Sequence, residues 1–182
     1  LSANGALAGE YAFLYGAGLA IRRSVLAELL KRGYQPLLPD RVGDSLVSGG
    51  DTELSYAIRL MGYSLWFSES LTFKHFLPAK RLTEDYLVRL VASMSYCSGL
   101  LLMYHYVLSG KKISAFTWAK DATYQLHFFG SAFFKKLTKK SDLTAKLDYT
   151  FSLNRMKSIW GQAGSYTARY RQIARLKLRN NE

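Results

Sequence analysis

The segment from Ser48 to Leu54 carries the side chains of this chain whose type and spacing are best suited to chemistry. It reads Ser-Gly-Gly-Asp-Thr-Glu-Leu, which places one carboxylate, Asp51, directly after two glycines. Glycine lets the backbone approach another group closely because it has no side chain. Asp51 also lies at the predicted start of a helix, where Asp is a preferred N-cap residue. These residues therefore indicate either a helix cap or a catalytic base.

The elements on either side of this segment must position Asp51. An amphipathic helix is predicted over residues 54–60, closed by a glycine. Upstream, glycines at 16 and 18 predict a turn, which leads into an apolar, strand-like run and then a helix over residues 24–32. Downstream, residues 62–67 are typical of a β-strand. The pattern therefore predicts an exposed carboxylate among strands and short helices.

Taken in order, four pieces of residues 15–90 resemble the C-terminal half of the catalytic domain of family 2 glycosyltransferases, which are inverting enzymes of the GT-A fold. Each piece alone is weak, and the signal lies in their order and spacing. The resemblance implies an α/β fold, the C-terminal portion of a GT-A-like mixed sheet followed by a mainly α-helical extension. The pieces are residues 16–23, residues 49–56, residues 59–67, and His75 followed by Arg81-Leu82-Thr83.

The resemblance implies a role for each matching residue. Asp51 corresponds to the base that deprotonates the acceptor hydroxyl, and many members carry Glu where this chain has Gly50. A base must lie within hydrogen-bond reach of the attacking hydroxyl, and charge developing on the leaving diphosphate needs stabilisation. The other implied roles are a turn near donor sugar and acceptor for Gly16 and Gly18, a structural or acceptor-side contact for Glu53, a metal contact for His75, and a diphosphate contact for Arg81.

The resemblance also implies ligands that this chain is not expected to hold alone. The donor would be a nucleotide-sugar, and the acceptor a saccharide or a lipid-linked sugar. A divalent cation, Mg²⁺ or Mn²⁺, would take its main ligands from a nucleotide-binding half that precedes Gly16. The chain contains no Asp-x-Asp metal motif and no phosphate-binding glycine loop. We therefore expect a fragment of a longer enzyme that is inactive by itself.

Charge divides the chain in two. Residues 1–86 contain nine Lys or Arg and nine Asp or Glu, whereas residues 87–182 contain sixteen and four, which accounts for the net charge of +12. We therefore predict a catalytic portion over residues 1–86 and a basic, aromatic-rich helical extension over residues 87–182. A single cysteine, Cys97, excludes an intrachain disulfide and a Cys-based zinc cluster, which suits a cytoplasmic protein.

The extension begins with an apolar run over residues 87–108 that is long enough to cross a bilayer. Because Arg89, His105 and three serines make insertion costly, a helix buried against the catalytic portion is favoured. Further along, aromatic residues beside Lys and Arg clusters favour either an anionic membrane surface or a solvated basic face over a helical core. Nucleic acid is a weaker interpretation because no nucleic-acid module is visible.

Some interpretations stay open at the level of sequence. The class-distinct alternative to an enzyme is a non-catalytic module that binds the inner face of the cell membrane through its basic tail. His75 could be structural, and Trp66 is either a core residue or an aromatic of an acceptor pocket. The loop that holds Asp40, Arg41 and Asp44 could contact an acceptor or simply be solvated.

Overall fold

The computed structural model describes residues 4–9, 11–38 and 49–177. The loop with Asp40, Arg41 and Asp44 and the first residue of the Gly-Gly-Asp segment, Ser48, lie outside the described residues. Six α-helices form within those ranges. They are α1 (Arg23–Lys31), α2 (Gly50–Leu60), α3 (Glu84–Leu108), α4 (Ala115–Thr138), α5 (Leu143–Trp160) and α6 (Tyr166–Ala174).

Two short strands complete the secondary structure, apart from a 3₁₀ turn at Ala79–Arg81. Strand β1 (Asn4–Ala6) pairs antiparallel with β2 (Trp66–Ser68), and Gly5 lies opposite Phe67. The described residues hold no other sheet. The expectation of a GT-A-like mixed sheet is therefore wrong, and this chain is mainly helical.

The reason for this error is that β-propensity depends on context. A run such as residues 18–21 is apolar and strand-like, but a strand is stable only when neighbours take its backbone hydrogen bonds. Among the described residues, only Trp66–Ser68 finds such a neighbour, and the pair is three residues long. The segment from Leu71 to Pro78 follows without regular structure. The predicted strands lack partners, so most of them remain irregular.

The predicted helices fare better because their signals are local. The helix predicted over residues 24–32 is confirmed as α1. The helix predicted over residues 54–60 is confirmed as the main part of α2, which begins four residues earlier, at Gly50. At the start of α3, the Thr83 side chain accepts a hydrogen bond from the Tyr86 backbone N–H at 3.2 Å. This is the expected geometry of a Thr N-cap.

The core lies where α3 crosses α2 and α6. Ala57 of α2, Met103 of α3 and Ile173 of α6 are buried in it, and α3 also packs along α5. Core residues therefore come from both sides of Tyr86. The predicted boundary at that residue marks a change in charge that does not interrupt the hydrophobic packing. The division of the chain into two domains, residues 1–86 and 87–182, stays a prediction.

Helix α3 is the single helix of the described residues that is long and apolar enough to cross a membrane. Length and composition alone give weak evidence, since the core helix of a soluble protein has the same properties. In this structure α3 contributes Leu101, Met103 and Tyr104 to the core. It contacts α2, α5 and α6, and part of its apolar surface is buried in this way.

Candidate functional site

Asp51 lies in the first turn of α2, one residue after the helix begins. The N-cap residue is Gly49, whose φ of 120° suits glycine, and a Cβ there would approach Leu38 Cδ1 at 3.1 Å. Asp51 is therefore not the N-cap. A carboxylate in the first helical turn is still favoured by the helix dipole.

The Asp51 carboxylate joins the two glycine segments of the predicted site. Its Oδ2 accepts a hydrogen bond from the Gly16 backbone N–H at 2.7 Å, and its Oδ1 accepts one from the Thr52 N–H at 2.8 Å. A Cβ at Gly16 would lie 3.3 Å from this carboxylate, so a glycine permits the close approach. A carboxylate has about four acceptor positions, so the half-buried Asp51 keeps the capacity for a further hydrogen bond.

Two further residues of α2, one and two turns after Asp51, hold the segment that precedes Gly16. Ser55 Oγ accepts from the Leu14 N–H at 3.1 Å. Arg59 donates to the carbonyls of Gly9 at 2.7 Å and Ala12 at 2.9 Å. Because residues four apart share a helix face, Asp51, Ser55 and Arg59 form one stripe. This stripe fixes the backbone beside the carboxylate.

Gly18 lies at the other end of the glycine turn. Its φ is +81°, and a Cβ at this position would lie 2.7 Å from Cε1 of Phe73. Glycine is thus required both by the backbone conformation and by the ring packed against it. The Leu19 N–H closes the turn by donating to the Gly16 carbonyl at 3.2 Å. The absence of a side chain at Gly18 allows the Phe73 ring to pack against the turn.

These parts surround an open cleft of about 840 Å³, which we call the Asp51 cleft. Four of the six predicted site residues line it, namely Gly16, Gly18, Asp51 and His75. The strand β2 adds Trp66, which is 68% exposed, so Trp66 is not a core residue. The cleft offers a hydrogen-bonding carboxylate beside aromatic rings.

The remaining two predicted site residues lie elsewhere. Arg81 is half-buried in the 3₁₀ turn before α3 and lines none of the pockets described here. Glu53 is fully buried, and its oxygens accept hydrogen bonds from the N–H groups of Leu37 at 2.6 Å and Leu38 at 2.8 Å, and from the Tyr104 hydroxyl at 2.9 Å. This favours the structural role for Glu53 over an acceptor contact.

Burial raises the pKa of the Glu53 carboxyl above its ordinary range, although the bonds from Leu37, Leu38 and Tyr104 oppose the rise. Burial is also the main cause that raises the pKa of the Tyr104 hydroxyl. Both groups face each other inside the core. This pair ties α2 to α3 and to the chain that follows α1.

No metal centre is assembled by the part of the chain that the structure describes. His75 is exposed on an extended segment, near the ring of Phe73, and no three His, Cys, Asp or Glu side chains come together within the described ranges. These residues therefore do not fit a divalent cation by themselves. A cation held mainly by other residues stays a prediction.

A second cavity, of about 360 Å³, is also lined by Asp51, and we call it the Arg155 cavity. Sequence reasoning placed Arg155 among the charges of the tail and did not connect it with Asp51. No local pattern could have made that connection, because it depends on how α5 packs along α3. The residues that line it include Tyr11, Asp51, Met94, Ser98, Leu101 and Arg155.

Comparisons with protein-family models, with curated proteins and with solved structures find no match to this chain.

Proposed function

We propose that this chain carries the acceptor side of an inverting glycosyltransferase, with Asp51 as the catalytic base. The observation that carries the proposal is the position of Asp51, which borders an open cleft of about 840 Å³ together with Gly16, Gly18, Trp66 and His75. The resemblance of the four sequence pieces to family 2 glycosyltransferases supports the reaction class. The mixed sheet of that family is no part of the proposal.

The geometry suits a sugar acceptor. Clefts of this size are typical of small-molecule sites, in which a few polar groups orient a ligand among apolar and aromatic walls. The exposed ring of Trp66 offers a flat surface for the C–H face of a sugar, and Asp51 offers an acceptor for one hydroxyl. Phe73 lies across the glycine turn. The acceptor could therefore be oriented by stacking and by one hydrogen bond.

In the proposed reaction, Asp51 removes the proton of the acceptor hydroxyl as its oxygen attacks the anomeric carbon of the donor. The bond from that carbon to the phosphate oxygen breaks on the opposite face, and its electron pair leaves with the nucleoside diphosphate. The proton remains on Asp51, and the configuration inverts. General-base catalysis of this kind contributes roughly 10²–10⁴-fold to a rate.

Donor binding is not assigned to the residues described here. They contain no β-α-β unit, so the nucleotide-sugar and any Mg²⁺ or Mn²⁺ are proposed only from the resemblance. The role of Arg81 at the leaving diphosphate rests on the same basis. The assignment to this chain is limited to the acceptor and the base.

The test is Asp51→Asn in the protein at the full length of its open reading frame, screened with nucleotide-sugars and saccharide or lipid-linked acceptors. We expect transfer to be lost while donor binding, measured by calorimetry, is kept, because the amide oxygen can still accept from the Gly16 N–H. Glu69→Gln is the matched control, since it makes the same change from carboxylate to amide at an exposed position outside the cleft and should keep turnover. Near-normal transfer by Asp51→Asn would remove the base assignment.

Surface chemistry favours a second candidate function, binding of an anionic membrane surface through the tail. Helix α4 packs against α5 and α6, yet Phe116 and Phe134 remain 79% and 68% exposed. They are about five helical turns apart and so lie on one side of the helix. Exposed Lys139 and Lys140 follow directly after α4. Exposed aromatic residues next to lysines are typical of interfacial helices.

The two candidates can be separated because they use different parts of the molecule. Catalysis depends on the carboxylate of Asp51, whereas surface binding depends on Phe116, Phe134 and the lysines near them. A protein that binds vesicles and transfers no sugar would be a non-catalytic surface module. One that does both would support an acceptor reaction at an anionic membrane surface, as proposed for the inner face of the cell membrane.

A further inference from the structure

The strongest feature that the proposed base leaves unused is the guanidinium of Arg155 on α5. It lines the Arg155 cavity, which Asp51 also lines. One of its nitrogens, Nη1, donates to Ser98 Oγ at 3.1 Å. Its Nε is buried and has no hydrogen-bond partner within the described residues. The cation is thus held in place on one side and keeps an N–H unsatisfied.

In the part of the chain that the structure describes, no carboxylate lies within ion-pair distance of this guanidinium, although the charge of Asp121 partly compensates it. Each ion pair found there joins other residues. The nearby Asp121 accepts hydrogen bonds from the hydroxyls of Tyr106, at 2.7 Å, and Tyr166. Burial lowers the pKa of the Arg155 guanidinium, although an arginine remains protonated at neutral pH. Arg155 as a whole is half-buried, but its Nε–H is buried and unsatisfied within the described residues. Such an N–H is costly unless an acceptor reaches it.

Arginine is also the side chain best suited to an oxyanion. Its planar fork of N–H donors matches the oxygens of a phosphate or a carboxylate, and such charge-assisted bonds are the strongest of their kind. The cavity volume of about 360 Å³ is within the range of small-molecule sites. Its walls add apolar side chains from α3, including Met94 and Leu101. The cavity can therefore hold an anionic group together with an apolar chain or a sugar ring attached to it.

We propose that Arg155 binds a phosphate or carboxylate group of a ligand that enters this cavity beside Asp51. The proposal of anion binding rests on the cavity that Arg155 lines and on its unsatisfied Nε–H alone. The further assignment, that the ligand is the sugar acceptor and that its anionic group sits on Arg155 while a hydroxyl meets Asp51, rests on the proposed function. The acceptor is then an anionic saccharide or a lipid-linked phosphate.

A purely structural role for Arg155 is the main competing explanation. The bond to Ser98 joins α5 to α3, and the Arg155 guanidinium lies 6.0 Å from the centre of the Phe151 ring. Neither contact satisfies Nε. If Arg155 is purely structural, added anions should leave the NMR signal of its Nε–H unchanged. If it is an anion site, they should shift that signal.

The first measurement is a ¹H–¹⁵N NMR titration of the whole chain with inorganic phosphate at constant ionic strength. The Arg155 Nε–H signal, identified by its disappearance in Arg155→Lys, should shift downfield and saturate. This arm uses the wild-type protein, so it does not depend on the folding of a variant. A signal that phosphate leaves unmoved overturns the proposal.

Calorimetry with the same phosphate supplies the matched comparison. Arg155→Gln should bind at least about tenfold more weakly, because it loses a charge-assisted pair of hydrogen bonds. Arg171→Gln removes the same charge from an exposed position of α6 and should bind like the wild type. Equal loss in both variants would mean general charge attraction and would overturn the site.

Two further probes identify the source of the anion. A hexose 1-phosphate that binds more tightly than phosphate supports a soluble, anionic saccharide, whereas a short prenyl phosphate that binds more tightly supports a lipid-linked one. These measurements need no turnover. Phosphate binding that persists while Asp51→Asn keeps full transfer would remove the base and leave the anion site, so the two failures are distinguishable.

Discussion

At the scale of single residues, the two carboxylates of the Gly-Gly-Asp-Thr-Glu segment have different tasks although they are two positions apart. Asp51 stays half-buried at an open cleft, while Glu53 is fully buried. Two residues along a helix is a rotation of about 200°, so the side chains point in nearly opposite directions. The sequence shows both carboxylates but does not show which one faces the core.

The buried carboxylate should matter for stability. Glu53→Gln leaves an amide N–H₂ against donors that the carboxylate now satisfies, and we expect a loss of about 1–3 kcal/mol in the free energy of unfolding. Urea unfolding followed by circular dichroism measures it. Glu69→Gln, at an exposed position, is the control and should change little.

The same variant should change how stability depends on pH. Because the pKa of Glu53 is raised in the folded state above its ordinary value of 4.5, the native protein binds more protons than the unfolded chain. This contribution is fully present below that value and is lost as pH rises through the folded pKa. The stability gap between wild type and Glu53→Gln should therefore narrow with rising pH. A gap that widens would mean a lowered pKa.

At the scale of elements, α2 organises the site through one stripe of side chains. Asp51, Ser55 and Arg59 bind backbone groups of residues 9–16 and so shape one wall of the cleft. The helix itself could be predicted from its apolar period and closing glycine. The groups that its side chains bind could not be predicted, because every residue has a backbone carbonyl and nearly every residue a backbone N–H.

Helix α4 carries the prediction for membrane contact. A double variant, Phe116→Ser with Phe134→Ser, should bind anionic vesicles roughly tenfold or more weakly than wild type, because two aromatic side chains no longer enter the interface. Flotation at low and high salt measures this, and binding should weaken with salt.

The matched control for α4 is Phe76→Ser, which changes another exposed aromatic residue, far along the chain from that helix. It should leave vesicle binding intact. If wild type fails to float with anionic vesicles at low salt, or if the α4 variant binds as wild type does, this helix is not a membrane-binding surface.

At the scale of the whole molecule, the local signals of the sequence proved more reliable than the fold that was inferred from them. The glycine turn, the Asp51 turn and His75 are far apart in sequence and still line one cleft. The mixed sheet expected to bring them together is wrong. Hydrogen bonds from α2 to residues 9–16 join Asp51 to the glycine turn instead, and the segment that holds His75 meets that turn through Phe73. Long-range pairing depends on partners that no single segment encodes.

Arg155 is a residue of the candidate site that could not be predicted from the sequence. Its place beside Asp51 arises because α5 packs along α3, and α3 packs on α2. Residues more than a hundred positions apart thus share one cavity. A site of this kind becomes visible only when the helices are assembled.

The central claim is that Asp51 acts as a base in the reaction, beyond its contact with the Gly16 backbone. The most direct measurement compares Asp51→Asn with wild type on two acceptors, an alcohol and a nitrophenol that is already ionised at neutral pH. We predict a loss of roughly 10²–10⁴-fold with the alcohol, and transfer close to wild type with the nitrophenolate, which needs no base. An equal loss with both acceptors would contradict the claim and leave Asp51 a structural residue.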